Sequence, residues 1–183
     1  MLVKILFAGS GGQGVLTMGN ILGNAAMFED LQVTYLPAYG AAVRGGTANC
    51  TICISDEEIA SPVASAPDFV VALNHPSAAA FSTRLEPGGQ MIYNSDLMGE
   101  LISRGDITMF PVPANGIAKG LGNERSANMV MLGAFIRLTK VIKVDSIYRS
   151  VEYMLGAKKK LVEITNRAVE EGYNGFPFGN GSL

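Results

Sequence analysis

Short apolar runs and stretches with helical periodicity alternate along the chain, and the pattern is clearest at its start. Residues 2–8 form a mostly apolar run that is interrupted only by Lys4. After a glycine-rich hexapeptide, apolar residues recur at helical spacing between Val15 and Phe28. A buried strand, a glycine turn and a helix form the opening unit of a doubly wound α/β domain, so the pattern predicts a strand at 2–8 and a helix at 15–28.

The same criteria predict the other elements. Further strands are predicted at 33–36, 48–55, 69–73, 90–94 and 107–112. Further helices are predicted at 77–85, 114–121, 127–138, 146–155 (with Asp145 as the N-cap) and 158–172. The helix at 127–138 is apolar almost throughout, which indicates burial on most sides. Residues 175–183 have no periodicity and are predicted to form a tail.

These elements predict an α/β fold with a Rossmann-like, open, mostly parallel sheet, helices on both faces and a C-terminal helical segment. The 183 residues contain no internal repeat and no low-complexity linker. A single domain over 1–183 is therefore the economical interpretation.

Composition and charge exclude several functional classes. The 14 basic and 16 acidic residues give a net charge of −2, which offers no basic patch for nucleic acid or for a membrane surface. No apolar run approaches the length of a membrane span, and the run at 2–8 is too short for a signal peptide, so we expect a cytoplasmic protein. An apolar fraction of 48% favours surfaces covered by other subunits, although a buried parallel sheet raises it too.

The hexapeptide GSGGQG places Gly9, Gly11 and Gly14 in the spacing G-x-G-x-x-G. In such a motif the first glycine allows a tight turn and the second lets a ligand approach the backbone. The third lets the helix pack closely on the strand. The free N–H groups of the first helical turn then face any bound anion.

NAD binding of the usual Rossmann type requires an acidic residue at the end of the second strand. Glu29 and Asp30 precede the predicted strand 33–36 and so lie at its wrong end. Three interpretations therefore stay open: NAD binding, a turn that serves packing only, and a site for a phosphate or for a partner's cofactor.

The segment 37–47 is rich in glycine and contains one charge, Arg44, followed by Gly45 and Gly46. It is predicted to leave the carboxyl end of the second strand as an irregular loop beside the glycine turn, at the edge where open α/β sheets bind ligands. Arg44 either meets a phosphate or carboxylate in bidentate fashion or is a solvated or carbonyl-bound arginine.

Cys50 and Cys53 form a C-x-x-C pair within a predicted strand. Residues three apart on a strand point to opposite faces, so we interpret both as structural cysteines rather than a disulfide or metal site. His75, the only histidine, follows the predicted strand 69–73 and is a candidate acid or base. No partner for it is identifiable nearby, which favours a structural or capping role.

Three motifs, GSGGQG at 9–14, YGAAVRGGTANC at 39–50 and NMVMLGA at 128–134, resemble those of a known family. The chain looks like the gamma subunit of the 2-oxoacid:ferredoxin oxidoreductases, which act on 2-oxoglutarate, pyruvate, branched-chain 2-oxoacids or indolepyruvate. The resemblance covers nearly the whole chain, and the second motif is the more specific.

The resemblance implies an enzyme that decarboxylates a 2-oxoacid on thiamine diphosphate with Mg, passes electrons through iron–sulfur clusters to ferredoxin, and forms acyl-CoA. Alpha, beta and in some forms delta subunits would hold the thiamine and the clusters. On its own, this chain would bind no cofactor and would be inactive. It could also form a dimer. The positions carried over as contacts to phosphate, CoA or a partner's site are Gly9, Gly11, Gly12, Gln13, Gly14, Arg44, Gly45 and Gly46.

One departure from the family pattern lies beside Arg44. Family members often carry a proline and an acidic residue before R-G-G, whereas this chain has Ala41-Ala42-Val43. The substitution leaves the choice of 2-oxoacid and the pairing of Arg44 open. Two other functional classes also stay open: a stand-alone nucleotide- or CoA-binding Rossmann-like module, and a free-standing oxidoreductase that uses nicotinamide or flavin.

Overall fold

The computed structural model describes residues 1–39, 46–63, 65–100 and 104–175. Its strands are β1 (Leu2–Ser10), β2 (Gln32–Tyr39), β3 (Thr47–Ser55), β4 (Phe69–Ala72), β5 (Gln90–Asn94) and β6 (Thr108–Val112). Its α-helices are α1 (Val15–Met27), α2 (His75–Ser82), α3 (Ala114–Gly120), α4 (Ala127–Thr139), α5 (Val144–Leu155) and α6 (Lys159–Asn174).

The six strands form one sheet in the order β2-β3-β1-β4-β5-β6. Strands β1, β4, β5 and β6 pair in parallel, whereas β3 lies antiparallel between β2 and β1. The predicted α/β fold with a mostly parallel sheet is confirmed. The antiparallel β3 follows from chain length, because residues 40–46 are too few for the crossover that parallel neighbours need.

The two outer strands of the sheet both contain a proline. Strand β2 continues through Pro37 to Tyr39, past the predicted end at 36, and β6 contains Pro111. Proline lacks the N–H that a central strand must donate, and an edge strand can accommodate that loss. Residues 37–39 therefore belong to β2, and not to the irregular loop that was predicted from residue 37.

Helices cover both faces of the sheet, as predicted. Residues of α1, α3, α4, α5 and α6 share one large apolar core with the sheet, whereas α2 packs in a smaller core on the opposite face. The chain thus leaves β1 towards one face and β4, its parallel neighbour, towards the other. A sheet of this kind has a crevice between the carboxyl ends of these two strands.

Helix α4 is buried between the sheet and α6, as its apolar sequence predicted. On the sheet side, the ring of Phe135 meets those of Phe7 and Phe69 edge-on, each with centroids 5.7 Å apart. On the other side, a Cβ at Gly133 would overlap the carbonyl oxygen of Val169 in α6, and a Cβ at Gly172 would overlap that of Val130 in α4. The two helix backbones are therefore in direct contact through a pair of glycines.

Two helices, α2 and α5, begin two residues earlier than predicted. Helix α2 begins at His75, two residues early, because the side chain of Asn74 accepts a hydrogen bond from the Ser77 N–H. The N-cap of α5 is Lys143, and Asp145 lies inside the first turn, where its charge favours the helix dipole. The predicted tail lies, from residue 176, outside the described residues, and no described helix is long and apolar enough to cross a membrane.

Cys50 and Cys53 are both free and buried, on opposite faces of β3, as their spacing predicted. The thiol of Cys50 lies 3.7 Å from the carbonyl oxygen of Val15 in α1, and that of Cys53 lies 3.9 Å from that of Pro62. Burial raises the pKa of the Cys50 thiol from 9.0 to about 12.

The raised pKa of Cys50 predicts a loss of stability at alkaline pH. Above pH 9.0 the thiol ionises in the unfolded chain but stays protonated in the folded one. The contribution of Cys50 to the free energy of unfolding is therefore fully present below pH 9.0 and is lost as the pH rises towards 12. Between about pH 8 and about pH 10, we expect the unfolding free energy of the wild type to fall by about 1 kcal/mol more than that of Cys50→Ala. Urea unfolding at both pH values measures this, and equal losses would contradict it.

Candidate functional site

An open cleft with a volume of about 130 Å³ lies at the carboxyl edge of the parallel strands, beside the crevice between β1 and β4. The cleft is lined by residues that end the parallel strands or follow them, and the start of helix α4 closes it. The described residues that line it are Gly12, Gln13, Leu73, Asn94, Asn115, Glu124, Arg125, Ala127 and Asn128.

The glycine turn forms one wall of the cleft. Gly12 and Gly14 have φ angles of 91° and 74°, a backbone conformation that side chains disfavour. A Cβ at Gly12 would meet no atom of the described residues within 4 Å, so these residues leave the backbone there open to a ligand. Gly14 is the N-cap of α1, which has no side-chain cap and no acidic residue in its first turn. The first N–H groups of α1 are thus left to other acceptors.

The roles of the other glycines differ from those predicted by spacing. Gly9 belongs to β1 rather than to the turn, and a Cβ there would lie 2.8 Å from Cγ2 of Val15 and 3.1 Å from Cβ of Leu73. Gly9 therefore provides the close packing of strand and helix that was predicted for Gly14. A Cβ at Gly14 would instead overlap the amide nitrogen of Asn128 in α4.

A first group of amide side chains holds the turn to the neighbouring strand. Oε1 of Gln13 accepts hydrogen bonds from the Ser10 N–H and from Nδ2 of Asn74, both at 2.7 Å. Nδ2 of Asn74 also donates to Oγ of Ser10 at 2.8 Å, and its Oδ1 accepts from the Ser77 N–H at 2.9 Å. The two strand ends that flank the crevice are thereby joined.

A second group of amides lines the rest of the cleft. The buried Asn94 donates through Nδ2 to Oδ1 of Asn115 at 2.7 Å and to the carbonyl oxygen of Leu73 at 3.3 Å. Its Oδ1 accepts from the Asp96 N–H at 3.3 Å. Nδ2 of Asn128 donates to the carbonyl oxygen of Gly14 at 3.2 Å.

Hydrogen bonds from neighbouring residues occupy the oxygen ends of two of these amides. Oε1 of Gln13 and Oδ1 of Asn115 are occupied, and among the described residues nothing accepts from the N–H₂ group of either side chain. The guanidinium of Arg125 has no carboxylate within 4.0 Å in the described part of the chain. The cleft therefore offers several unused N–H donors, a set that suits an oxyanion such as phosphate or carboxylate.

The predicted neighbourhood of loop and turn is present in the described residues. Gly46 accepts a hydrogen bond through its carbonyl oxygen from the Gly11 N–H at 2.9 Å. Strand β2 ends at the same edge of the sheet as β1, since Tyr39 is paired with Ala48 and Ala48 with Gly9. Arg44 and Gly45, together with residues 40–43, lie outside the described residues.

The acidic residues considered for NAD binding lie away from this edge. Asp30 is in the turn before β2, with φ 59°, and Oε1 of Glu29 accepts a hydrogen bond from the Lys143 N–H at 2.7 Å. Both are at the amino end of β2, as predicted from the sequence.

His75 lies in the first turn of α2, and its Nδ1 is 3.4 Å from Sδ of Met98. The capping role belongs to its neighbour Asn74. Within the described ranges, no group of three or more His, Cys, Asp and Glu side chains is arranged to hold a metal ion.

The sequence pattern missed most of the polar side chains that line the cleft or hold its glycine turn in place. Asn74, Asn94 and Asn115 follow or end three successive parallel strands, a regularity that the sequence contains once the strand ends are known. Asn128 opens the motif at 128–134, which was used only for the family resemblance. Arg125 lies in the short 3-10 helix Glu124–Ser126, which was not assigned to any element.

The sequence and the fold of this chain are both similar to those of known proteins. Residues 4–175 match the family model described as pyruvate ferredoxin/flavodoxin oxidoreductase. The ketoisovalerate oxidoreductase subunit VorA of Methanothermobacter thermautotrophicus is 37% identical over 171 residues, which cover 93% of this chain. The chain spans only about a third of that relative's length, 35%.

Two further proteins are similar along most of their own length. The 2-oxoglutarate synthase subunit KorC of Methanothermobacter marburgensis is 34% identical over 81% of this chain and 84% of its own. The crystal structure of the keto/oxoacid ferredoxin oxidoreductase gamma subunit of Geobacter sulfurreducens superposes with a TM-score of 0.81, at 29% identity, over 93% of this chain and 96% of the other.

Proposed function

Because this chain belongs to the pyruvate ferredoxin/flavodoxin oxidoreductase family, as its motifs predicted, we propose that it is the gamma-type subunit of a multi-subunit 2-oxoacid:ferredoxin oxidoreductase. The assembled, cytoplasmic enzyme depends on thiamine diphosphate and converts 2-oxoglutarate or a related 2-oxoacid and CoA into acyl-CoA and CO₂. The electron pair released goes to ferredoxin. The relatives named for ketoisovalerate and 2-oxoglutarate support this substrate class.

In this proposal, the partner subunits carry the redox chemistry. Alpha and beta subunits, and in some forms a delta subunit, hold thiamine diphosphate, Mg and the iron–sulfur clusters. This chain binds none of these alone and is inactive alone. Its contribution is to complete the assembly and to hold one substrate in reach of the partner's site.

The cleft at the carboxyl edge of the sheet, which is lined by hydrogen-bond donors, is the main support for this role. The N–H₂ groups of Gln13 and Asn115, the guanidinium of Arg125 and the open backbone at Gly12 form one concave surface. CoA carries phosphate groups at one end and supplies a thiol as the acyl acceptor at the other. The cleft fits the phosphate end, because charged hydrogen-bond donors and free helix N–H groups stabilise phosphate oxygens.

The loop residues Arg44, Gly45 and Gly46 join the glycine turn in this proposal. Gly46 is bonded to the turn through Gly11. Arg44 lies two residues earlier in the chain and would add a second guanidinium to the cleft. This part of the proposal rests on the sequence.

The test is to purify the chain from its native host under anaerobic, non-denaturing conditions and to identify the proteins that co-elute. We expect partner chains with thiamine and iron–sulfur signatures in a fixed ratio, and reduction of ferredoxin that depends on both a 2-oxoacid and CoA. Elution as a colourless monomer or homodimer would overturn the proposal. Binding of CoA or a nucleotide by that isolated chain would then identify the stand-alone module.

A further inference from the structure

Asn74 is the residue that links the glycine turn to the opposite side of the crevice, although it does not line the cleft among the described residues. It follows β4 and caps α2 on one face of the sheet, while Gln13 precedes α1 on the other face. The two amides meet at 2.7 Å between Nδ2 of Asn74 and Oε1 of Gln13. The contact therefore joins two helix starts that leave the sheet in different directions.

The direction of this hydrogen bond is determined by backbone groups at both ends. The Ser77 N–H can only donate, so the oxygen of Asn74 faces it and the N–H₂ group faces Gln13. The Ser10 N–H can only donate as well, so the oxygen of Gln13 points back to β1. The N–H₂ group of Gln13 is thereby directed away from both partners, and Gln13 is one of the residues that line the cleft.

We propose that Asn74 is a positioning residue that sets the polarity of the cleft through Gln13. With Asn74 in place, Gln13 presents donors, which attract the oxyanion of a ligand. Without it, only the Ser10 N–H still holds the oxygen of Gln13, so the amide rotates more often to present its oxygen, which repels the same group. The inference rests on the proposed function, in which the ligand is the phosphate end of CoA.

Three substitutions separate positioning from helix capping. Asn74→Ser keeps a good N-cap but is too short to reach Gln13, whereas Asn74→Ala removes both contacts. Asn74→Asp keeps the cap and places an oxygen opposite Oε1 of Gln13, so Gln13 must turn its N–H₂ group away from the cleft. A capping role alone predicts that only Asn74→Ala differs from the wild type.

The experiment measures the KM for CoA, the KM for the 2-oxoacid and kcat in the complete native assembly. We expect Asn74→Ser and Asn74→Ala to raise the KM for CoA alike, by about threefold to tenfold, since each loses one oriented donor to a charged group. Asn74→Asp should raise it further. The KM for the 2-oxoacid and kcat at saturating CoA should stay unchanged.

A double-mutant cycle with Gln13→Ala shows whether Asn74 acts through Gln13. We expect Asn74→Ser to add nothing to the KM for CoA when Gln13→Ala is already present. The inference would be overturned, in an assembly that still reduces ferredoxin, by either of two results. One is that the effects of the two substitutions on the KM for CoA multiply, and the other is that Asn74→Ser has the KM of the wild type. A wild-type assembly that reduces no ferredoxin with 2-oxoacid and CoA would instead overturn the proposed function.

Discussion

The variant Gly172→Ala is expected to lose about 3 kcal/mol or more of unfolding free energy, although it adds only one methyl group. Gly172 faces the backbone of α4, where the new Cβ would overlap the carbonyl oxygen of Val130 and lie 2.8 Å from its carbonyl carbon. A side chain could rotate away from such a contact, but a helix backbone cannot. Helices α4 and α6 must therefore separate, which opens the packing around Gly133 as well.

Urea unfolding followed by circular dichroism measures this loss as a lower midpoint. Gly120→Ala is the matched control, since Gly120 ends helix α3 with no atom within 4 Å of its Cβ position and without a positive φ. Because alanine leaves the unfolded chain less conformational entropy than glycine does, this control should be as stable as the wild type or more stable by up to about 1 kcal/mol. Equal midpoints for the two variants would contradict the close contact of α4 and α6.

Under the proposed function, the variant Arg125→Glu is expected to raise the KM for CoA in the assembled enzyme by about 10-fold to 100-fold, which corresponds to about 1.4 to 2.8 kcal/mol. The substitution removes the guanidinium of the cleft and adds a second carboxylate beside Glu124. No described carboxylate forms an ion pair with Arg125, and its side chain is exposed, so stability should stay close to that of the wild type.

Lys143→Glu is the control for Arg125→Glu. It makes the same change of charge at an exposed position beyond the carboxyl end of α4, whereas the cleft lies at the amino end of that helix. Steady-state kinetics at low and high salt should show a large KM effect for Arg125→Glu that shrinks as salt screens the charge. The same change in KM for both variants would show that net charge, rather than the cleft, controls CoA binding.

Sequence periodicity was sufficient for the order of helices and strands but not for their exact ends. The strand at the start of the chain runs to Ser10, into the glycine motif, because Gly9 keeps an extended conformation. The end of β2 was predicted early because Pro37 breaks a central strand, and the position of β2 at the edge was not yet known. Edge position is a property of the whole sheet, which local patterns do not contain.

The candidate site was predicted in part for the same reason. The glycine turn forms a local motif, so the spacing identified Gly9, Gly11 and Gly14, and the family resemblance added Gly12 and Gln13. Asn94 ends β5 and Asn115 lies at the start of α3 after β6, so their hydrogen bond at 2.7 Å depends on the order of β5 and β6 in the sheet. A single asparagine near a strand end carries no signal until the strand ends are placed side by side.

The prolines in the two outer strands also limit how the chain can assemble. Each of these strands lacks one amide donor, at Pro37 and at Pro111, so neither margin offers an unbroken ladder to a strand from another polypeptide. Continuous β-sheets shared between subunits are therefore disfavoured on both sides. In the proposed assembly, partner subunits would instead dock on the helical layers or on the end of the sheet that carries the cleft, which is the region where the substrate is proposed to bind.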